Sequence, residues 1–224
     1  MTFSIAARCA TTGMFGVAVS SSSPAVAARC AHARAGIGAV ASQNVTDPSL
    51  GTRALDLLGL GASAEQVIGV LRGASAHMAF RQVLVVDAQG GSAIHSGPRA
   101  LGTWAEARAE NVACGGNMLA DPGVPQAMVD AFGAATGPLG DRLIAAMRAA
   151  LAAGGEAGPV HSAGMMLVRE VSWPVADLRI DWTEDCPIAG LAALWERYRP
   201  QLEDYVTRAR DPSAAPSYGV PGDL

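Results

Sequence analysis

The first twenty residues alternate with a period of two. In Thr2–Arg8, Phe3, Ile5 and Ala7 fall on one face and Thr2, Ser4 and Ala6 on the other, the alternation of a strand. Met14 to Ser20 repeats the pattern, with Phe15, Val17 and Val19 set against Gly16, Ala18 and Ser20. Between them CATTG supplies Gly13, which adopts positive φ at no steric cost, so the two runs read as a hairpin. Setting large against large places Phe3 opposite Val19, Ile5 opposite Val17 and Ala7 opposite Phe15. That register makes Thr2 oppose Ser20 and gathers Thr2, Ser4, Ala6, Gly16, Ala18 and Ser20 on one face. Such a face either packs closely on a second sheet or leaves room for a ligand.

AGIGAVASQ (35–43) reads as a third strand. Its Gly-x-Gly-x-x-Ala pattern runs into NVTDPSLG, a loop rather than the helix a dinucleotide site requires, so close strand packing accounts for the glycines. Ser63 and Gln66 form a capping box that opens AEQVIGVLR, with Val67, Ile68, Val70 and Leu71 as its apolar side. RQVLVVDAQGGSAIHSG gives strand, Gly-Gly turn and strand. The middle, WAEARAENVACGGNMLADPG, is less regular and holds a Gly-Asn cluster at Gly115, Gly116 and Asn117. Helices follow from about Val124 to Ala135 and from Pro138 to Ala153, the second ending at Gly154. SAGMMLVRE and ADLRIDW are strands, and a helix from near Ile188 carries Leu191, Leu194, Trp195, Tyr198 and Leu202 along one side. The proline-rich tail, 211–224, reads as loose. Strands and helices do not alternate strictly, which argues for an α+β fold of stacked sheets with outer helices, in one domain over 1–210.

Composition narrows the chemistry. With 224 residues, 50% hydrophobic and 16% charged, the chain buries one sizeable core. A net charge of −4 without runs of like charge gives no footprint for nucleic acid or an anionic membrane surface, leaving small molecules or further copies of the chain as partners. MFGVAVSSSSPAVAA imitates a signal peptide, but only Arg8 precedes it and its large and small residues alternate, so it is a strand. No eighteen-residue apolar run occurs, so no membrane span is expected and the location is read as cytoplasmic. All sixteen basic residues are arginine, which removes Schiff-base chemistry, pyridoxal phosphate attachment, a Ser-Lys dyad and a Walker loop. Cys9, Cys30, Cys114 and Cys186, and His32, His77, His95 and His161, are scattered without metal-ligand spacing. Neither metal nor other cofactor is expected, and the thiols read as buried and reduced.

In order along the chain, TFSIAAR, GVAVSS, AGIGAVASQ, FRQVLVVD, GGNMLAD, the AF…PLGDRLIAAMRAALAAGGE helices, HSAGMMLV and DLRIDW resemble the DUF1028 family, grouped with the N-terminal-nucleophile hydrolases. The resemblance runs from about Thr2 to Tyr198. It implies a four-layer α/β/β/α sandwich of two stacked, mainly antiparallel sheets flanked by helices, with an N-terminal catalytic residue. A small residue at position 2 opens Met1 to trimming, which leaves Thr2 with a hydroxyl and an α-amine whose ordinary pKa of roughly 7.7 to 8 suits a general base. Asn117 on its Gly-Gly loop is placed to donate to an oxyanion. Ser20 comes beside Thr2 by the hairpin register, Gln43 and Ser162 join the substrate site by resemblance, and Arg8 or Arg81 is a candidate to hold a substrate carboxylate. Each has a plainer role: Asn117 as a turn residue, the serines as caps or small fillers, the arginines as surface or interface ions.

The chain departs from the family pattern at Cys9 and Glu156, where aspartate is usual, at His161, where glutamine is usual, and across DWTEDC from Asp181. The reading is an amidohydrolase acting on a small amide. The alternatives are a catalytically silent binding or assembly module, and a serine hydrolase pairing Ser20 or Ser162 with His161. Against the last stands Val160, where a G-x-S-x-G elbow needs its first glycine.

Overall fold

The structure, a computed structural model, describes residues 2–220. In chain order these form β1 (Thr2–Arg8), β2 (Phe15–Ser21), α1 (Ala27–Cys30), β3 (Ala31–Arg34), β4 (Gly38–Asn44), α2 (Ser49–Gly59), α3 (Ala64–Ala74), β5 (Arg81–Asp87), β6 (Ser92–Ser96), β7 (Ala105–Ala109), β8 (Val112–Asn117), α4 (Val124–Ala134), α5 (Leu139–Ala152), β9 (Ser162–Val168), β10 (Ala176–Ile180), α6 (Pro187–Tyr198) and α7 (Leu202–Arg210). Two antiparallel sheets result, ordered β10-β9-β2-β1-β8-β7 and β3-β4-β5-β6.

Three apolar layers hold the sandwich together. Phe3, Ile5, Ala18, Met165 and Leu167 of the larger sheet pack on Met128, Leu143, Met147 and Leu191 from α4, α5 and α6. Between the sheets lie Ala6, Val17, Val19 and Ala113 from one side and Ala39, Ala41, Leu84 and Val86 from the other. Val40, Val83 and Val85 face Leu50, Leu55, Val67 and Leu71 of α2 and α3. The α/β/β/α architecture implied by the resemblance is the one observed. Among the described residues no helix is long and apolar enough to cross a membrane.

The hairpin forms, but one residue out of the register expected from the sequence. Phe3 faces Ser20, Ile5 faces Ala18 and Ala7 faces Gly16, while Ser4 faces Val19 and Ala6 faces Val17. The reason is that both faces of this sheet are buried. Each layer must keep one thickness, so large side chains sit opposite small ones, and a slip of one residue exchanges every partner. Gly16 measures the crowding, since a Cβ there would lie 2.7 Å from Leu143 Cδ1 and Leu167 Cδ2.

The same crowding hid a central strand. ACGGN reads as a loop, yet it is the body of β8, paired with β1 and β7. A Cβ on Gly116 would come 2.6 Å from Leu119 Cδ2, and one on Gly115 3.3 Å from Gln82 Nε2. The stretch after β4 is a loop only to Pro48, because α2 begins at Ser49, whose N–H and hydroxyl donate to Asp47 Oδ1. The capping box at Ser63 and Gln66 forms, with Val70 of the same helix turned to solvent. Three cysteines are buried, but Cys186 is exposed.

A polar network crosses the apolar space between the sheets. Ser4 Oγ donates to Gln43 Oε1 (2.6 Å), and Gln43 Nε2 donates to Gln82 Oε1 (2.7 Å) and Gly115 O (3.1 Å). Gln82 Nε2 reaches Ser96 Oγ and the Ala105 and Gly116 carbonyls. Ser4, Gln43 and Gln82 are all fully buried. Replacing Gln43 by Met keeps the volume but leaves Ser4 Oγ without its acceptor and two further acceptors without a donor. A loss of about 1–3 kcal/mol is expected in urea unfolding.

Two helical glycines separate propensity from packing. Nothing lies within 4 Å of a Cβ on Gly69, whereas one on Gly140 would meet the Trp195 ring at 2.4 Å. Gly69→Ala is therefore expected to raise stability by about 0.5–1 kcal/mol. Gly140→Ala, with the same helical gain, is expected to lower it by about 1–3 kcal/mol because the ring is held in place. Urea midpoints of the two variants decide this.

Candidate active site

At one end of the larger sheet, four polar residues cross four neighbouring strands. Asn117 of β8 pairs with Thr2 of β1. Ser21 of β2, one residue beyond the Phe3–Ser20 pair, receives the Thr2 hydroxyl at 3.4 Å and pairs in turn with Ser162 of β9. By strand alternation all four side chains face the second sheet, with Ser4 and the Gln43 amide beneath them.

Thr2 is 6% exposed and Asn117 1%. Opposed residues on an antiparallel pair hold their Cβ atoms about 5 Å apart, so the Asn117 amide stands beside the Thr2 hydroxyl. Asn117 Nδ2 is buried and makes no hydrogen bond among the described residues. An orphaned buried donor costs about 1–3 kcal/mol, and one aimed at a hydroxyl's neighbourhood is what an oxyanion would satisfy. Met118, next in the chain, has φ +51°. This left-handed turn swings the chain out of β8 so that Met118 N–H donates to Leu101 O and Met118 O accepts from Ala157 N–H. Backbone strain of this kind in a non-glycine residue is concentrated at sites where the surrounding structure imposes it.

The structure separates the other sequence candidates. Ser20, expected beside Thr2, lies on the opposite face with Phe3, and its Oγ donates to Ser162 O at 2.9 Å. The register slip is the cause, and Ser21 takes its place. Gln43 stands at the end of β4, but its amide is committed to the network below the site. Ser162 lies in the polar row, where its Oγ donates to Ser23 O and accepts from Val26 N–H, bracing the turn after β2. Arg8 is six residues along a strand from Thr2, ~20 Å away, and binds Asn111 Oδ1; it cannot share a substrate with Thr2. Arg81 pairs with Asn44 at the near end of the second sheet, yet alternation turns it away from the row, and its guanidinium holds Val45 O. Asn117 is on a strand rather than a loop. Among the described residues His161 forms no couple with Ser20 or Ser162: its Nδ1 contacts Thr183 O at 2.9 Å and its ring stacks on Trp182 at 4.4 Å.

The sequence marks Glu156 only as a departure from the family's usual aspartate and assigns it no role. It is 5% exposed, and its two carboxylate oxygens accept the Ser22 N–H at 3.3 and 3.2 Å. Burial pushes its pKa up to about 7, opposed by the Ser22 N–H and by the charge of His161. The signal available was a lone acidic residue in the small-residue stretch AAGGEAGP.

A second place in the fold looks more like a pocket and less like a catalyst. At the far end of β1 an apolar cavity of about 390 Å³ is lined by Cys9, Met14, Leu139, Leu167, Trp195 and Leu202, among others. Burial raises the Cys9 pKa, and hydrogen bonds from Thr11 and Thr12 outweigh it, bringing the thiol to about 7. The basic groups on its rim are already paired, Arg169 with Glu203 and Arg199 with Asp141. Among the described residues no cluster of three or more His, Cys, Asp or Glu side chains is placed to hold a metal ion.

Comparison with known proteins agrees with this fold. Residues 2–191 match the model of a family of unknown function, DUF1028. A crystal structure of protein SPO2555 from Silicibacter pomeroyi, of the same family, is 30% identical, covers 93% of each chain and superposes with a TM-score of 0.83. Anbu (ancestral beta-subunit) from Yersinia bercovieri is 14% identical, with a TM-score of 0.39 over 91% of this chain and 97% of its own. No curated protein matches. The chain belongs to the DUF1028 family.

Proposed function

We propose that the protein is an N-terminal-nucleophile amidohydrolase acting on a small amide, with Thr2 as nucleophile after removal of Met1. The observation that carries this reading is the buried, unpaired Nδ2 of Asn117 across the strand pair from the Thr2 hydroxyl.

The chemistry follows from the placement. Thr2 Oγ1 attacks the amide carbonyl while the residue's own α-amine takes the hydroxyl proton. The carbonyl oxygen becomes an oxyanion and accepts the Asn117 Nδ2–H, which has no hydrogen-bond partner among the described residues. The C–N bond then breaks, the departing amine takes the proton from the α-ammonium, and an ester to Thr2 remains. Water, deprotonated by the same amine, hydrolyses that ester and restores the hydroxyl. With no lysine in the chain and arginine always protonated, the residue's own α-amine is the amine base closest at hand. Burial of Thr2 and the small side chains around it favour a compact acyl group.

Protein isolated from its own host is expected to begin at Thr2 by intact mass and N-terminal sequencing; Met1 on every molecule would block the base and overturn the reading. In a screen of small acyl anilides, Thr2→Ala is expected to abolish turnover with an unchanged near-UV spectrum. An active Thr2→Ala protein removes the proposal. Asn117→Ala is expected to lower kcat by about 10²–10³-fold with little change in KM, since the contact is made to the oxyanion.

A further inference from the structure

Pairing Thr2 with Asn117 means that the position two steps before Thr2 in the file of β1 would face Leu119. Another segment holds that place. Glu156 forms a β-bridge with Leu119, Ala157 N–H donates to Met118 O at 2.9 Å, and Ala120 N–H donates to Gly155 O at 3.0 Å. Residues 155–157 therefore pair with the segment just past β8, and a Cβ on Gly155 would lie 3.7 Å from Phe3 Cε1, which places them beside the start of β1. On the other flank the Glu156 carboxyl accepts the N–H of Ser22, the residue after Ser21. Glu156 is thus tied by its backbone to the segment after β8 and by its carboxyl to the residue after β2, the two strands that enclose β1.

Hydrogen bonds from Ser22 alone leave part of the acceptor capacity of a buried carboxylate unused among the described residues. Of the ionisable groups on the neighbouring elements, His161 acts on it through its charge and has Glu184 3.7 Å from its imidazole. His161 precedes β9, Arg29 of α1 is held on Ser23 Oγ and the Pro24 and Ala25 carbonyls, and Asp121 is held on the Gly123 N–H.

We infer that Glu156 is the docking carboxylate for the α-ammonium of Thr2 exposed when Met1 is removed, a positioning residue that fixes the amine beside its own hydroxyl. The inference rests on the reading of Thr2 as the first residue of the working chain. A carboxylate at this place favours the charged amine, so the amine's pKa lies above the usual range of roughly 7.7 to 8 and the base becomes available only at higher pH.

The composition provides a direct test. With no lysine in the chain, the α-amine is its one primary amine, and an N-hydroxysuccinimide ester reads its protonation without any substrate. Protein released with Thr2 first from a cleavable fusion is labelled at pH 7.5 and followed by intact mass. The parent is expected to react about six- to eightfold more slowly than Glu156→Gln, which at this pH corresponds to a pKa shift of about one unit. Glu156→Asp, which keeps the charge, is expected to stay nearer the parent. Equal rates for the parent and Glu156→Gln overturn the inference. So does equal acceleration in both variants, because shape rather than charge would then be the cause. Labelling is independent of turnover: an inactive protein with a slowed amine removes the hydrolase reading alone, and an active protein with an unslowed amine removes this one alone.

Discussion

Burial of the six-stranded sheet on both faces is the constraint on which the other features depend. Helices α4, α5 and α6 press on one side and the second sheet on the other, so neither face has solvent to absorb an excess of volume. Side chains must alternate in size across strands as well as along them. Ile5 against Ala18 and Phe3 against Ser20 are the local solutions. The small residues of β8 are another, and they let the Gln43 and Gln82 amides reach the Gly115 and Gly116 carbonyls.

Where the layers end, the same arithmetic leaves a place for chemistry. The apolar filling between the sheets stops at Ala6 and Val19, and beyond it come Ser4, Thr2, Asn117 and Ser21. Groups of this size carry hydrogen-bonding capacity without filling the space. The network through Gln43 and Gln82 fixes the two sheets to each other just below the row, so the spacing between Thr2 and Asn117 is set by covalent strands and a buried amide ladder rather than by a loop. Sites built on such elements hold their geometry more closely than sites on loops.

The alternation of β1 and β2, the capping box of α3 and the helical stripe of α6 were legible in the sequence, because each is a local pattern with a local cause. The hairpin register was not. Large-against-large is the arrangement for a sheet with one dry face, and nothing within the two strands reveals that both faces are dry. Asn117 stood out by composition, but its place on a strand beside Thr2 depends on a pairing between distant segments. Glu156 stood out only as a departure from the family pattern, and its place was hidden for the same reason, since its burial arises from Leu119 and Ser22, far from it in sequence.

The central position of β1 also orders events in time. Its partner β8 ends at Asn117, 115 positions downstream, so the enclosure around Thr2 is incomplete until that strand has left the ribosome. At about 5–20 residues per second, synthesis of that length takes roughly 6–23 s. Until then the end of β1 lacks the neighbour that buries it, and the topology of the sheet, rather than any local sequence, decides how long that end stays open.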